Sequence, residues 1–323
     1  IYSVDASFML KNNIGYVKVN RFSATTNQEF QESTNELLTK GMTKLILDLR
    51  GNPGGYLGSA IYMCNEFLSE GDLIVYTEGK YRGKEEIFSD NNGNLKNVKL
   101  VVLINQGSAS ASEIVAGCMQ DLDRATIVGN RSFGKGLVQE EIRLSDGSAV
   151  RLTTSRYYIP SGRSIQKPYG GNVKDYHSTQ LNGSKLEIKD SILYKTKNGR
   201  IVYGGGGITP DSIISSDSSL NYIKFNKLRR NNFIIEFALS EQKNIDLRLG
   251  IDSIDEEKLY EKFKLYIKRR NPDFDLNMGS VEKSDLKNYI KATIVKNLLD
   301  NDEYFRVLSE DDKYIIKALD ILN

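Results

Sequence analysis

The 323-residue sequence has no tryptophan, five prolines, two cysteines and a single histidine. Each shortage removes a class of chemistry. Cys64 and Cys118 fall in apolar helical stretches, so no disulfide framework is expected. Together with His177 they supply too few ligands for a zinc centre, and neither a metal nor another cofactor is expected. His177 sits in the polar segment VKDYHSTQ, so a Ser-His-Asp triad lacks its base. The acids are not spaced as a calcium loop, and no apolar run is long enough to cross a bilayer. An excess of one charge is missing too: 44 Lys and Arg oppose 42 Asp and Glu, a net +2. That balance argues against nucleic acid as a partner, because neutralising its backbone takes a concentrated basic surface. The short clusters Leu228-Arg229-Arg230 and Lys268-Arg269-Arg270 read as solvated helix faces. Residue 1 is Ile, so any signal peptide would already have been removed.

What is present is alternation. From Gly15 to about Thr154, strand-like and helix-like segments take turns. Ile14 to Val19 reads as a strand, and Asn27 to Lys40 as a helix stopped at Gly41. Lys44 to Leu49 (KLILDL) is a buried strand, followed by the turn GNPGG and a helix from about Tyr56 to Leu68. Leu73 to Phe88 reads as strands with an exposed turn at Asp90-Asn91-Asn92-Gly93. Leu100 to Asn105 and Ala125 to Gly129 are further buried strands around a small-residue helix, Ser110 to Met119. The pattern predicts an α/β layer with a largely parallel central sheet. Residues 160–207 are polar and glycine-rich, which suits loops and hairpins. From about Leu220 the period becomes helical: Leu259, Phe263, Tyr266 and Ile267 recur at helical spacing, as do Leu286, Ile290, Ile294 and Leu298. Residues 220–323 therefore form a separate helical subdomain beside a 14–219 core. Its apolar stripes must bury somewhere, against the core or in a homo-oligomer.

GNRSFGKGL (129–137) imitates a phosphate-binding loop, with Gly129, Gly134 and Lys135 in the G-x-x-x-x-G-K pattern. Two requirements fail. The hydroxyl residue that should follow the lysine is Gly136, and what comes next, LVQEEIRL, alternates as a strand rather than opening a helix. Lys135 needs another reason.

A second junction of small residues, NQGSASASEIVAG (105–117), leaves a buried strand for a helix. A nucleophile there stands at a helix N-terminus, where the next backbone N–H can face a developing oxyanion. Ser108, Ser110 and Ser112 all qualify by chemistry. Ser110-Ala111-Ser112-Glu113 is also a helix capping box, the bland alternative. With no histidine at hand, lysine is the remaining common base for a serine. A free lysine, with a pKa of about 10.4, is charged at neutral pH, and bringing it to about 7–8 takes on the order of 4 kcal/mol. Burial among Phe133, Leu137 and Val138 would do this, whereas a solvated turn is the usual place of Gly-Lys-Gly.

Taken together the motifs resemble those of the C-terminal processing peptidases, or tail-specific proteases, serine enzymes with a Ser-Lys dyad. The resemblance runs from about Gly15 to Asp211. It rests on LILDLRGNPGG (45–55), INQGSASASEIVAG (104–117), VGNRSFGKGLVQ (128–139), RLTTSRYYIPSGRSIQ (151–166) and GGITPD (206–211), in the family's order. It implies a crotonase-like α/β core with Ser110 as nucleophile and Lys135, 25 residues later, as base. Gln139 would orient the lysine through its amide oxygen. The oxyanion donors would be the N–H of Ala111 and that of Gly54 or Gly55, a choice the sequence leaves open. Arg50 and Asn52 would brace that turn. The resemblance further implies cleavage of unstructured protein C-terminal tails with nonpolar ends, in an enzyme exported to the bacterial periplasm or cell envelope. The YGGGGITPD variant and the helical tail look most like versions from the Bacteroidetes. Family members usually carry a PDZ domain before the core. Here Ile14 already enters the core strand, so residues 1–13 read as a linker remnant, the domain being either removed from this chain or never present in this member. A catalytically silent peptide-binding scaffold is the alternative, and an acyl-CoA enzyme on the same fold a third.

Overall fold

The computed structural model describes residues 2–168, 192–215 and 222–323. They divide into two compact units, Ile1–Ile214 with Lys317–Asn323, and Ser215–Ile316. The division falls a few residues before the 219/220 boundary read from the sequence, and it returns the last residues of the chain to the first unit. His177 lies outside the described residues.

The first unit begins with β1 (Val4–Met9), β2 (Ile14–Val19), α1 (Thr26–Thr39), β3 (Lys44–Asp48) and α2 (Leu57–Asn65). A hairpin, β4 (Leu73–Gly79) and β5 (Arg82–Phe88), precedes β6 (Lys99–Ile104), α3 (Ala111–Asp121) and β7 (Ala125–Gly129). Then come β8 (Leu137–Arg143), β9 (Ala149–Tyr158), a short pair β10 (Leu193–Lys195) and β11 (Ile201–Tyr203), and β12 (Ser212–Ile213).

Six strands form the central sheet in the order β1-β2-β3-β6-β7-β12. From β2 onward every pairing is parallel. This is the mixed α/β fold with a largely parallel sheet that the alternation predicts. KLILD and KLVVLI are continuous apolar runs because their strands are sheet interior, covered on both faces. Leu45, Ile46 and Leu47 are fully buried opposite Leu100, Val101 and Val102. On one face α3 packs so closely that all eleven of its residues are buried. Its small side chains allow this: a Cβ on Gly117 would come 2.6 Å from Ile159 Cδ1.

Two local readings differ from what is observed. Val4–Met9, expected within a linker remnant, is an antiparallel edge strand of the central sheet, paired with β2. Its alternating burial, with Ala6 and Phe8 inward, is a short amphipathic period. Leu73–Phe88, read as strands followed by an exposed turn, is divided by a further turn at Lys80-Tyr81 that makes it the β4–β5 hairpin. A second sheet, ordered β5-β4-β9-β8, is wholly antiparallel and leaves β8 as an edge.

The second unit is helical: α4 (Ile223–Arg230), α5 (Phe233–Glu241), α6 (Glu256–Arg270), α7 (Ser280–Leu298), α8 (Asn301–Ser309) and the first residues of α9 (Lys313–Leu322). Leu259, Phe263 and Ile267 of α6 share one core with Leu286, Ile290 and Ile294 of α7, as their spacing predicts. Phe237 meets Phe263 edge to face, with ring centroids 5.2 Å apart. The two basic clusters close α4 and α6, where cations complement the helix dipole. Their arginines point to solvent.

Candidate active site

The site is built where two strand ends of the central sheet meet. After β3 the chain turns through Arg50–Gly55, and after β6 it turns through Asn105–Ser110 into α3. These turns are stitched together. Gly51 N–H donates to Asn105 Oδ1 (2.9 Å), and Ala109 N–H donates to the Asn52 carbonyl (3.0 Å). The Ser108 hydroxyl donates to Leu49 O (2.8 Å) and the Ser112 hydroxyl to Asn52 O (3.0 Å). Both serines are fully buried. Of the three serines open to choice in the sequence, two are thus engaged in the scaffold. Ser110 is half-buried and lines a cleft of about 770 Å³.

Ser110 is also conformationally unusual. It is the N-cap of α3 with φ 56° and ψ −116°, a region that non-glycine residues avoid. That places its side chain at the end of a helix whose first N–H groups are unpaired by nature. The Ala111 N–H is one of these, and it meets no acceptor among the described residues.

The facing wall is the glycine turn. Gly54 N–H donates to Asn52 Oδ1 (2.8 Å), while Gly55 N–H meets no acceptor among the described residues. Both glycines have positive φ, 93° and 150°. A Cβ on Gly54 would come 2.7 Å from Ser110 Cβ, and one on Gly55 would come 1.8 Å from the Phe22 carbonyl oxygen. Only glycine lets the turn approach the serine this closely.

Asn52 is fully buried and holds the turn from inside, its Nδ2 donating to Val19 O (3.0 Å). Arg50 braces it from β3 through a 2.6 Å ion pair with Asp48. Asp48 is itself buried, and Tyr16 donates to it as well (2.7 Å). Burial alone would raise the Asp48 carboxyl, but Arg50 and Lys18 outweigh it and hold the group well below the usual carboxylate range.

Lys135 sits on the irregular segment between β7 and β8 and lines the same cleft. The sequence suggests a buried amine; the side chain is half-buried, because it borders the open cleft. Gln139, on β8 beyond a bulge at Val138/Gln139, lines the cleft too but is exposed. Among the described residues no hydrogen bond joins it to Lys135. The structure thus brings Ser110, Lys135, Gln139, Ala111, Gly54 and Gly55 to one cleft.

Sequence reasoning reads Glu113 only as the partner in a helix cap. It is more. This fully buried carboxyl accepts from Ser110 N–H (2.8 Å), Lys135 N–H (2.9 Å), Gly134 N–H (2.7 Å) and the Ser132 hydroxyl (2.5 Å). Burial pushes the Glu113 carboxyl up from its ordinary value, and the four donors pull against that. The available signal was an acid placed in the otherwise apolar and small-residue run ASEIVAG. A second group, Tyr157, also lay unread in RYYIPSGRSIQ. Its hydroxyl reaches the carbonyl oxygens of both Ser110 (3.2 Å) and Lys135.

The same motif supplies Arg163, fully buried and ion-paired with Asp121 of α3 at 2.8 Å. Gln166 then accepts from Gly136 N–H (2.9 Å), next to Lys135. Asp211 of GGITPD accepts from Gln120 (2.9 Å) and Ile127 N–H (2.8 Å). Gln166 thus holds the segment carrying Lys135, while Arg163 and Asp211 fix the far end of α3.

A parallel α/β core with a serine at a strained strand-to-helix turn, faced by a glycine turn and a cleft lysine, is an arrangement suited to acyl transfer. The sequence profile of peptidase family S41 matches residues 13–178, half of the chain, and the chain belongs to that family. It is 43% identical over 155 residues to a carboxyl-terminal-processing protease of Synechocystis, covering 48% of this chain and 36% of that protein. It is 46% identical over 164 residues to a carboxy-terminal-processing protease of Bartonella bacilliformis, covering 49% and 38%. Among solved structures it resembles a photosystem II D1 C-terminal processing protease, with 30% identity and a TM-score of 0.47 over 62% of this chain and 42% of that one. The chain spans less than two fifths of the length of these two curated relatives.

Proposed function

We propose that this chain is a serine endopeptidase in which Ser110 is the nucleophile and Lys135 its general base. One observation carries the reading: Ser108 and Ser112 are fully buried and donate their hydroxyls to Leu49 O and Asn52 O, whereas Ser110 lines the cleft and shares it with Lys135. A lysine accepts a proton only through its free amine. The amine takes the Ser110 proton as Oγ attacks the scissile carbonyl carbon. The Ala111 and Gly55 N–H groups receive the oxyanion, Gly54 being the poorer candidate because its N–H is held by Asn52. Collapse of the tetrahedral adduct breaks the C–N bond, and the lysine ammonium gives its proton to the leaving amine. Water, deprotonated by the same amine, then hydrolyses the acyl-enzyme. Gln139 orients the lysine once substrate fills the cleft.

The names of the relatives point to carboxyl-terminal processing, so the substrates we assign are unstructured protein tails. Phe22, Leu57, Ile114, Leu137 and Val138 give the cleft an apolar lining suited to nonpolar side chains. Export from the cytoplasm, implied by the motif resemblance, belongs to the same proposal. Among the described residues no helix is long and apolar enough to cross a membrane.

The test is incubation with an unfolded protein ending in nonpolar residues. Cleavage should fall by about a thousandfold or more in Ser110→Ala and in Lys135→Ala. Substantial cleavage by either variant refutes the dyad, and peptide capture without turnover by the unaltered chain would favour a silent scaffold.

A further inference from the structure

Ser110 and Lys135 lie on different elements, one opening a helix and the other in a segment without regular structure. Their reaction requires that the two backbones keep a fixed separation, yet the backbone bond between the two segments, Phe133 N–H to Ser108 O at 2.9 Å, falls two residues before each and does not span them directly. Two side chains do. On the amide side, a single oxygen, Glu113 Oε2, accepts from both Ser110 N–H and Lys135 N–H at 2.8 and 2.9 Å. On the carbonyl side, a single hydroxyl, that of Tyr157, reaches both Ser110 O and Lys135 O.

We propose that Tyr157, acting with Glu113, is a positioning residue that sets the separation between Ser110 and Lys135. This rests on the dyad reading of the site. The two groups are complementary in kind. A carboxyl oxygen gathers two donors, and a phenolic proton shared between two acceptors holds together carbonyl oxygens that would otherwise repel. A buried tyrosine needs only one partner to be satisfied, so a purely structural role does not explain why the hydroxyl stands between the carbonyls of these two residues. The ring is placed independently of the hydroxyl. It is 2% exposed, its residue pairs with Thr77 across β4 and β9, and its N–H donates to Gly136 O at 3.1 Å. Removing the oxygen therefore leaves the ring seated and releases the tie to the two carbonyls.

The experiment is Tyr157→Phe in the full chain, with cleavage kinetics, a pH profile of kcat and a melting curve. Misplacing reacting groups by a fraction of an ångström costs about tenfold to a hundredfold in rate. That is the expected fall in kcat, with KM within about twofold. The pH of half-maximal kcat should change, because the surroundings of the base change, and the melting temperature should stay close to that of the unaltered chain. An unchanged kcat overturns the proposal. So does a fall in kcat accompanied by a matching rise in KM and a lower melting temperature, the sign of general loosening. If Tyr157→Phe does not fold, Glu113→Asp retracts the other half of the clamp while keeping its charge. A lower kcat at constant KM then supports the clamp, and unchanged kinetics overturn it. Ser110→Ala in the same assay separates the two ideas: if it is inactive while Tyr157→Phe is fully active, the clamp alone falls, and if Ser110→Ala still cleaves, the dyad falls.

Discussion

The two units of the chain bury different things. The helical unit hides an apolar and aromatic core, Phe237, Phe263, Leu286 and Ile290 among it. The α/β unit has such a core too, but beside it buries more polar groups: Asp48, Asn52, Glu113, Asp121 and Arg163 are all nearly or fully inaccessible. Buried polar groups are costly unless satisfied, and three of them, Asp48, Asn52 and Glu113, bond to the turns that form the cleft. The helical unit buries Glu241, Glu282 and Lys291 only to within 6–9% exposure, whereas the α/β unit gives up some stability to fix the geometry of a few atoms.

Two core substitutions should have similar costs for different reasons. Phe263→Ala opens a cavity in the helical unit and should cost about 3–5 kcal/mol. Arg163→Ala leaves Asp121 buried without its partner and should cost about 3–5 kcal/mol as well. Denaturation with hydrogen exchange on each unit reads them apart. Exchange should rise in α6 and α7 for the first and in α3 for the second; the reverse pattern would break the comparison.

A pH dependence should follow from Asp48. Its folded pKa lies below the unfolded value of about 3.9, so the unfolded chain binds more protons there. The stabilisation is complete above about pH 4 and is lost as the pH falls toward the lower folded value. Melting curves between pH 2 and 6 should show a flatter decline in Asp48→Asn. An identical decline would mean that other carboxyl groups dominate acid unfolding.

The smallest effect sharpens the contrast most. Asp255 caps α6, accepting from Lys258 N–H at 3.0 Å, and Asp255→Ala should cost about 1 kcal/mol. Ser110 occupies the same position on α3 and forms a capping box with Glu113, so Ser110→Ala should have a similar small cost in stability but, unlike Asp255→Ala, should remove the activity. Retained activity in Ser110→Ala would make it an ordinary cap.

The sequence reveals these units unequally. Helical spacing at Leu259, Phe263 and Ile267 identifies α6 because one face meets one core. The buried strands KLILD and KLVVLI are equally legible as apolar runs. Val4–Met9 was not, since six residues of an edge strand carry only a weak period. The cleft residues were legible only as ordered motifs, because Ser110, Lys135 and Gln139 have no periodicity of their own. Glu113 and Tyr157 stayed hidden for a further reason. What matters about them is which backbone atoms they touch, and residues 113 and 157 meet 110 and 135 only through the fold. Likewise the preference proposed for Gly55 over Gly54 rests on one bond to Asn52 that no spacing announces.

The backbone of Ser110, at φ 56°, has a consequence for evolution in the laboratory. Glycine enters that region freely and serine does not. A chain selected only for heat resistance should therefore drift toward glycine at position 110, becoming hardier and inert in one step. If Ser110 is the nucleophile, the tension in this turn is kept by selection for turnover, and its relaxation would be an early sign that such selection had ceased.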